Sequence, residues 1–265
     1  NVIDMIFIGR LGGDAIAGIA FNMPIFFLML GLTMGLGSGV TASIARFIGD
    51  EDKASADNSA EHALAMAACI AVVFTIAGLY FGEKILIVLG AEGNILILAW
   101  EYLSMIVLGL PFMVFSGFFR SILAGEGDMK FPMMVAGLGT ILNIILDPIF
   151  IFTLEDYGNF GFGMGVKGAA MATVLSQFIV FIIFIYMLFV KEHAYITFNL
   201  KDFLPSKSIL WDIVKVGVPA SLSMIIMALG QGVFNKILIH YSSQAVSAYQ
   251  VAGRLDMLIF LPIFA

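Results

Sequence analysis

The sequence contains few charged residues, a single cysteine and two tryptophans. Only 12% of its 265 residues are charged and 61% are hydrophobic, whereas a soluble domain carries about 25% charged residues. The 13 basic residues form no cluster of the kind that binds nucleic acid, so we expect no nucleic-acid partner. Cys69 has no second cysteine to pair with, which excludes an intrachain disulfide or a cysteine metal cluster and leaves a packing role. The excess of apolar residues indicates a membrane protein.

Long apolar runs alternate with short polar connections along the chain. A membrane-spanning helix needs about 20 mainly apolar residues. After an apolar stub at 1–9, the segments that meet this criterion lie near 14–47, 60–82, 94–123, 130–154, 164–190, 209–240 and 245–265. Short connections follow at 9–14, 49–53, 81–84, 125–130, 155–159 and 241–244. We therefore predict an all-α polytopic membrane helix bundle with antiparallel neighbours, cut within the membrane at both ends of the chain.

The distribution of Lys and Arg predicts the orientation of the bundle. If the stub runs outward, most basic residues outside the spans, such as Arg46 and Lys191, fall on one side of the membrane. The positive-inside rule makes that side cytoplasmic. The long connection at 191–208 is then a cytoplasmic linker. It separates an amino-terminal lobe at 1–190 from the start of a carboxy-terminal lobe at 209–265.

A weak internal repeat supports the two-lobe organisation. Residues 2–8 resemble residues 233–239, and an even number of membrane crossings separates them. An even number of crossings restores the original direction of the chain. The two lobes are therefore predicted to be parallel repeats, a known plan among transporters.

Asp147 is the clearest functional candidate, because an ionisable side chain inside an apolar span is costly. Asn143 precedes it by four residues and shares its helical face. Pro148 has no N–H to offer the carbonyl of Ile144, so this oxygen could turn toward the same face. Oxygen ligands of this kind suit a hard cation such as Na⁺. The alternative is that Asn143 joins two helices and Asp147 lies near the membrane interface.

Two other polar positions interrupt apolar runs. Asp4 stands among apolar residues, and burial there would favour its protonated form and allow proton exchange; the alternative is a wetted aspartate at a helix end. Thr173 and Gln177 form a polar pair at helical spacing in the sixth segment. Beside them runs a stripe of small residues, which predicts close helix packing: Gly168, Ala172 and Ser176.

Several conspicuous residues fit no chemical motif. Glycines at 31, 35, 37 and 39 lie in an apolar span without the strand or lysine of a nucleotide loop, so they indicate close packing or bending. The histidines form no metal-binding or triad pattern and are expected at interfaces: His62, His193 and His240. Three further ionisable residues in or near spans stay unassigned: Glu101, Arg254 and Asp256.

Three stretches resemble the multidrug and toxic compound extrusion (MATE) family, and within it the prokaryotic DinF-like branch. They are residues 1–12, residues 35–42 leading to Ile48-Gly49, and residues 120–132 followed by 142–152 and 165–173. The resemblance implies two six-helix lobes around a central cavity and transport by alternating access. The chain would cover the end of helix one through most of helix eight.

The resemblance also implies a function and a site. The cation-coupling residues, or Na⁺ ligands if sodium is the coupling ion, would be Asp4, Asn143, Asp147 and Thr173. The expected activity is export of small organic cations or drugs by antiport with H⁺ or Na⁺, by a monomer in the lipid bilayer of the inner (plasma) membrane and without another cofactor. The span 216–241 lacks the acidic residue of a related branch, which puts a second cation site in doubt. Two alternatives remain: a flippase of lipid-linked precursors, and an intramembrane enzyme, for which no metal or nucleophile motif is visible.

Overall fold

The described part of the chain is helical and contains no strand. A computed structural model describes residues 2–153, 161–191, 193–198 and 203–241, with side chains except at 2–5, 227–229 and 231–241. Its helices are α1 (Val2–Gly9), α2 (Gly13–Gly49), α3 (Lys53–Val88), α4 (Gly93–Gly125), α5 (Lys130–Ile151), α6 (Gly165–Ile185), which continues as a π-helical turn (Tyr186–Val190), and α7 (Lys207–Tyr241). The all-α prediction is confirmed.

Six of the described helices, α2 to α7, are long and apolar enough to cross a membrane. The 37 residues of α2 give a length of about 55 Å at 1.5 Å per residue. This exceeds the ~30 Å hydrocarbon core of a bilayer, so α2 extends beyond it. The chain is therefore a multi-pass membrane protein. The predicted last segment at 245–265 lies outside the described residues.

One predicted connection is wrong. Residues 81–84 lie inside α3, which continues to Val88, and the chain turns at Gly90 with a φ of 97°. Gly82 is buried under the ring of Trp100, where an added Cβ would lie 2.8 Å from the ring. The glycine therefore allows α3 and α4 to pack closely and does not mark a turn.

α4 forms the centre of the bundle, because it packs against α2, α3 and α6. Its aromatic side chains Phe118 and Phe119 are fully buried, and the Phe119 ring stacks on Phe184 of α6 with ring centroids 6.0 Å apart. At the other end of the bundle, α1 packs against α5 and α6. There the rings of Phe7 and Phe152 meet edge to face at 6.0 Å.

The chain divides into two compact units, residues 1–221 and residues 222–265. The first unit contains α1 to α6 and the first turns of α7. In the second unit the structure describes the helical backbone as far as Tyr241. The predicted lobe boundaries at 1–190, 191–208 and 209–265 stay a prediction.

Candidate cation-binding site

The site lies between α5 and α6, and glycines set how closely these helices approach. A Cβ added to Gly168 of α6 would lie 2.6 Å from the carbonyl carbon of Phe150 and 3.1 Å from the nitrogen of Ile151. A Cβ added to Gly139 of α5 would lie 2.6 Å from the side chain of Val180. The first contact pairs the end of α5 with the start of α6, and the second pairs the middle of α5 with a later turn of α6. The helices are thus antiparallel, and Asn143 and Asp147 lie level with Thr173.

Three of the predicted site residues come together in this region. Asn143 Nδ2 donates to Asp147 Oδ1 at 3.2 Å and to Thr173 Oγ1 at 3.4 Å. Asp147 is fully buried, and Asn143 and Thr173 are half-buried. The i, i+4 spacing placed Asn143 beside Asp147, and the α5–α6 packing added Thr173 from 30 residues further along the chain.

The hydrogen bonds define which atoms of this cluster can bind a cation. Thr173 Oγ1 donates its hydrogen to the carbonyl of Ala169 at 3.1 Å. Toward all other partners this oxygen can therefore act only as an acceptor. The Asn143 amide nitrogen lies between the two oxygens of Asp147 and Thr173, where it supplies partial positive charge. Rotation of this amide would replace its N–H₂ by Oδ1. The three residues can therefore hold a proton on Asp147 directly, and can offer three oxygen ligands to Na⁺ after that rotation.

The small-residue stripe behaves as predicted. Gly168, Ala172 and Ser176 are buried, and Gly168 meets the backbone of α5. Ser176 Oγ donates back to the carbonyl of Ala172 at 2.8 Å. Thr173, on the neighbouring face, points toward Asn143 and not toward lipid. Gln177 is half-buried.

Asp4 belongs to α1, and its side chain lies outside the described residues. One turn later, Ile8 is buried in a cluster that includes Ile151 of α5 and Ala169 of α6. The backbone of α1 thus packs on the two helices that carry the cluster. Participation of Asp4 in the site stays a prediction.

Glu101 is half-buried in α4, and Arg254 and Asp256 lie outside the described residues. Cys69 is exposed on α3, so the structure does not bear out the predicted packing role. The sequence could not distinguish the exposed side of α3 from its buried side, because both sides are apolar.

The glycines of α2 pack as predicted, but their partner could not be inferred from the sequence. Gly35 meets the backbone of Ser221, and a Cβ added to Gly39 would lie 3.0 Å from the nitrogen of Gly217. Both contacts are with the first turns of α7. Near the end of α2, Arg46 forms an ion pair with Asp212 at 2.6 Å.

A second polar network, which sequence reasoning missed, holds the connection between α6 and α7. The two carboxylate oxygens of Glu126 accept from the backbone N–H groups of Tyr195 and Ile196, at 3.1 and 2.8 Å. Burial raises the pKa of Glu126, and these two hydrogen bonds partly offset the rise. The Thr197 N–H donates to Asp57 of α3 at 3.0 Å. Such contacts have no local sequence signal, because they join residues about 70 and 140 positions apart.

The fold defines a polytopic membrane protein, and the buried polar cluster is its candidate cation site. A family model, MatE, matches residues 1–149. The chain belongs to this family, as its motifs predicted.

Characterised relatives and solved structures agree with this assignment. The chain is 29% identical over 267 residues to the probable multidrug resistance protein YoeA of Bacillus subtilis and 31% identical over 258 residues to the multidrug export protein MepA of Staphylococcus aureus. These alignments cover 99% and 96% of this chain but 56% and 55% of the relatives, so the chain spans about half their length.

Solved structures of related proteins match this chain over its full length. A MATE protein in complex with MaD3S is 38% identical with a TM-score of 0.93, and a MOP superfamily transporter from Pyrococcus furiosus is 38% identical with a TM-score of 0.91. This chain covers 58% and 57% of those chains. The fold is therefore that of a transporter and not of an enzyme.

Proposed function

We propose that the full-length protein containing this chain is a secondary active transporter that exports organic cations and drugs by antiport with H⁺ or Na⁺. The observation that carries the proposal is the carboxylate of Asp147, fully buried in a membrane-spanning helix and hydrogen-bonded to Asn143. An ionisable group at the centre of a span costs about 2.5–3.5 kcal/mol even on insertion scales. Reversible binding of a small cation is a role that accounts for this cost.

Asp4 is proposed as the second carboxylate of the site. Three antiparallel helices, α2 to α4, separate α1 from α5, so α1 and α5 run in the same direction through the membrane. Ile8 shares a buried cluster with Ile151. Asp4 precedes Ile8 by one helical turn, and Asp147 precedes Ile151 by one turn. This equal spacing supports the same depth in the membrane for the two carboxylates. Two nearby carboxylates repel each other, and a bound proton or Na⁺ relieves this repulsion.

Relief of that repulsion couples the ion to the exported compound. Ion occupancy changes how α1 packs on α5 and α6, and a drug with different affinity for the two packings is then linked to the ion. Alternating access follows when the two packings favour opposite openings of the central cavity. The names of the relatives, multidrug resistance and multidrug export proteins, support drugs as the cargo.

The cellular setting is part of the same proposal. The protein acts as a monomer in the inner (plasma) membrane, with the 191–208 linker in the cytoplasm and no resident cofactor. A flippase for lipid-linked precursors needs cationic side chains for phosphate groups. The described cluster is acidic and neutral, which favours export of cations.

The test is efflux of a fluorescent organic cation from proteoliposomes that hold the full-length protein, under an imposed pH or Na⁺ gradient. Asp147→Asn and Asp4→Asn should abolish gradient-driven efflux while expression and folding are retained. Asp50→Asn, in the exposed turn after α2, is the matched control and should transport normally. Wild-type efflux in Asp147→Asn would refute the proposal, and wild-type efflux in Asp4→Asn alone would remove Asp4 from the site.

The coupling ion can be distinguished with Asn143→Ala. A sodium-coupled site loses one of its oxygen ligands in this variant, so sodium-driven efflux should fall strongly. A proton-coupled site keeps its carboxylate, so proton-driven efflux should persist at a reduced rate.

A further inference from the structure

His62 holds the start of α7 against α3 through a hydrogen-bond pattern that only one form of the imidazole can make. The side chain is buried, with 5% exposed. Its Nδ1 lies 2.8 Å from the carbonyl oxygen of Asn58, and its Nε2 lies 2.9 Å from the backbone nitrogen of Ser206. A carbonyl can only accept and a backbone N–H can only donate. The ring must therefore be neutral, with its hydrogen on Nδ1 and a lone pair on Nε2.

The surrounding contacts link this ring to the end of the connection that precedes α7. The ring of Phe203 meets His62 edge to face, with centroids 4.9 Å apart. Asn58 Nδ2 donates to the carbonyl of Leu204 at 3.1 Å. Ser206 in turn begins α7, since its carbonyl accepts from the Leu210 N–H at 3.1 Å. One histidine thus joins the first half of α3 to the amino-terminal end of α7.

We propose that His62 is a proton-sensitive latch that holds the start of α7 on α3 when neutral and releases it when protonated. A charged imidazolium carries a hydrogen on both nitrogens. The new Nε2 hydrogen would point at the Ser206 N–H, so two donors would face each other in a buried space. The Ser206 backbone must then leave the ring, and the segment at 203–206 leaves with it.

The charged groups of the elements that meet here influence this release. Glu61 precedes His62 in α3 and is buried, but residues i and i+1 of a helix point about 100° apart, so its carboxylate does not face the ring directly. Lys207 follows Ser206 and is exposed, and its charge opposes a second positive charge nearby. Two further ion pairs involve these elements: Lys53 with Asp57 within α3, and Arg46 of α2 with Asp212 of α7. Lys201 and Asp202 lie outside the described residues.

The latch is distinct from the coupling cluster. It lies at the end of the bundle that the Lys and Arg distribution predicts to be cytoplasmic, whereas Asn143 and Asp147 lie within the span of α5. The latch would therefore respond to the pH on that side of the membrane. It would do so whichever ion drives transport.

The test is amide hydrogen exchange of the full-length protein, compared between about pH 8 and about pH 5.5. After correction for the intrinsic exchange rate, protection of residues 203–210 should fall by about tenfold at the lower pH, as expected when a buried N–H loses its acceptor. His62→Gln keeps an amide oxygen that can accept from Ser206 but does not titrate, and it should remove this pH dependence. His193→Gln is the matched control: His193 is exposed and pairs with Asp128, so the pH dependence should persist.

Equal protection of the wild-type segment at both pH values would overturn the latch, and so would a pH dependence that survives in His62→Gln. A second measurement needs no variant. The ¹⁵N chemical shifts of histidine-labelled wild-type protein should show His62 with hydrogen on Nδ1 at about pH 8. The opposite tautomer, or a charged ring at that pH, would also refute the proposal. None of these measurements depends on transport, so the latch and the proposed antiport can fail independently.

Discussion

An alanine at position 168 should push α5 and α6 apart. The added Cβ would lie 2.6 Å from the carbonyl carbon of Phe150 and 3.1 Å from the nitrogen of Ile151. Carbon atoms in favourable contact are about 3.5–4.0 Å apart, so one helix must shift by about 1 Å. Both contacts are with backbone atoms, which no change of rotamer can move away. Overpacking of this kind costs about 1–3 kcal/mol.

Gly137→Ala in α5 is the matched control for this substitution. Nothing lies within 4 Å of a Cβ added at position 137. Both variants gain about 1 kcal/mol from replacing a helical glycine by alanine, so the difference between them reports the crowding at 168. Gly168→Ala should therefore melt below Gly137→Ala, by a shift that corresponds to about 1–3 kcal/mol.

The assay is thermal unfolding of the full-length protein, followed by intrinsic tryptophan fluorescence, for both variants side by side. A Gly168→Ala protein that melts at or above the temperature of Gly137→Ala would refute the close α5–α6 approach. The same shift should weaken the cation cluster. The 3.4 Å contact between Asn143 and Thr173 is already long, and a further ~1 Å would break it. Gradient-driven efflux should therefore fall in Gly168→Ala and stay normal in Gly137→Ala.

Two further predictions concern polar contacts outside the cluster. Arg46→Ala should change stability by less than about 1 kcal/mol, because the Arg46–Asp212 pair is half exposed and such pairs are weak, and a larger loss in thermal unfolding would contradict this. Burial raises the pKa of Glu126 above 4.5, with partial offset from the Ile196 and Tyr195 N–H groups. The folded state therefore binds this proton more tightly than the unfolded state, and the contribution of Glu126 to stability falls as the pH rises from 4.5 through the raised pKa. Melting temperatures across that range should decline more steeply in wild type than in Glu126→Gln, and equal slopes would refute the assignment.

The amino-acid sequence by itself determined the fold class, the family and the pairing of Asn143 with Asp147 in the candidate site. Apolar runs longer than a bilayer core leave helices as the only stable choice, since every backbone group must find its partner within its own segment. The same local rule placed Asn143 beside Asp147, because residues four apart share a helical face. Stretches that carry family motifs, such as residues 35–42 and 142–152, are contiguous and could be recognised without coordinates.

Tertiary structure alone decided which helical faces meet. Thr173 joins Asn143 because Gly168 lets α6 approach the backbone of α5, and periodicity in either helix does not choose its neighbour. In a membrane both the lipid-facing and the protein-facing sides of a helix are apolar, so hydrophobic patterning could not show that Cys69 is exposed or that Gly82 packs under Trp100. The contact of His62 with Ser206 spans 144 residues and uses a backbone donor, which no side-chain pattern encodes.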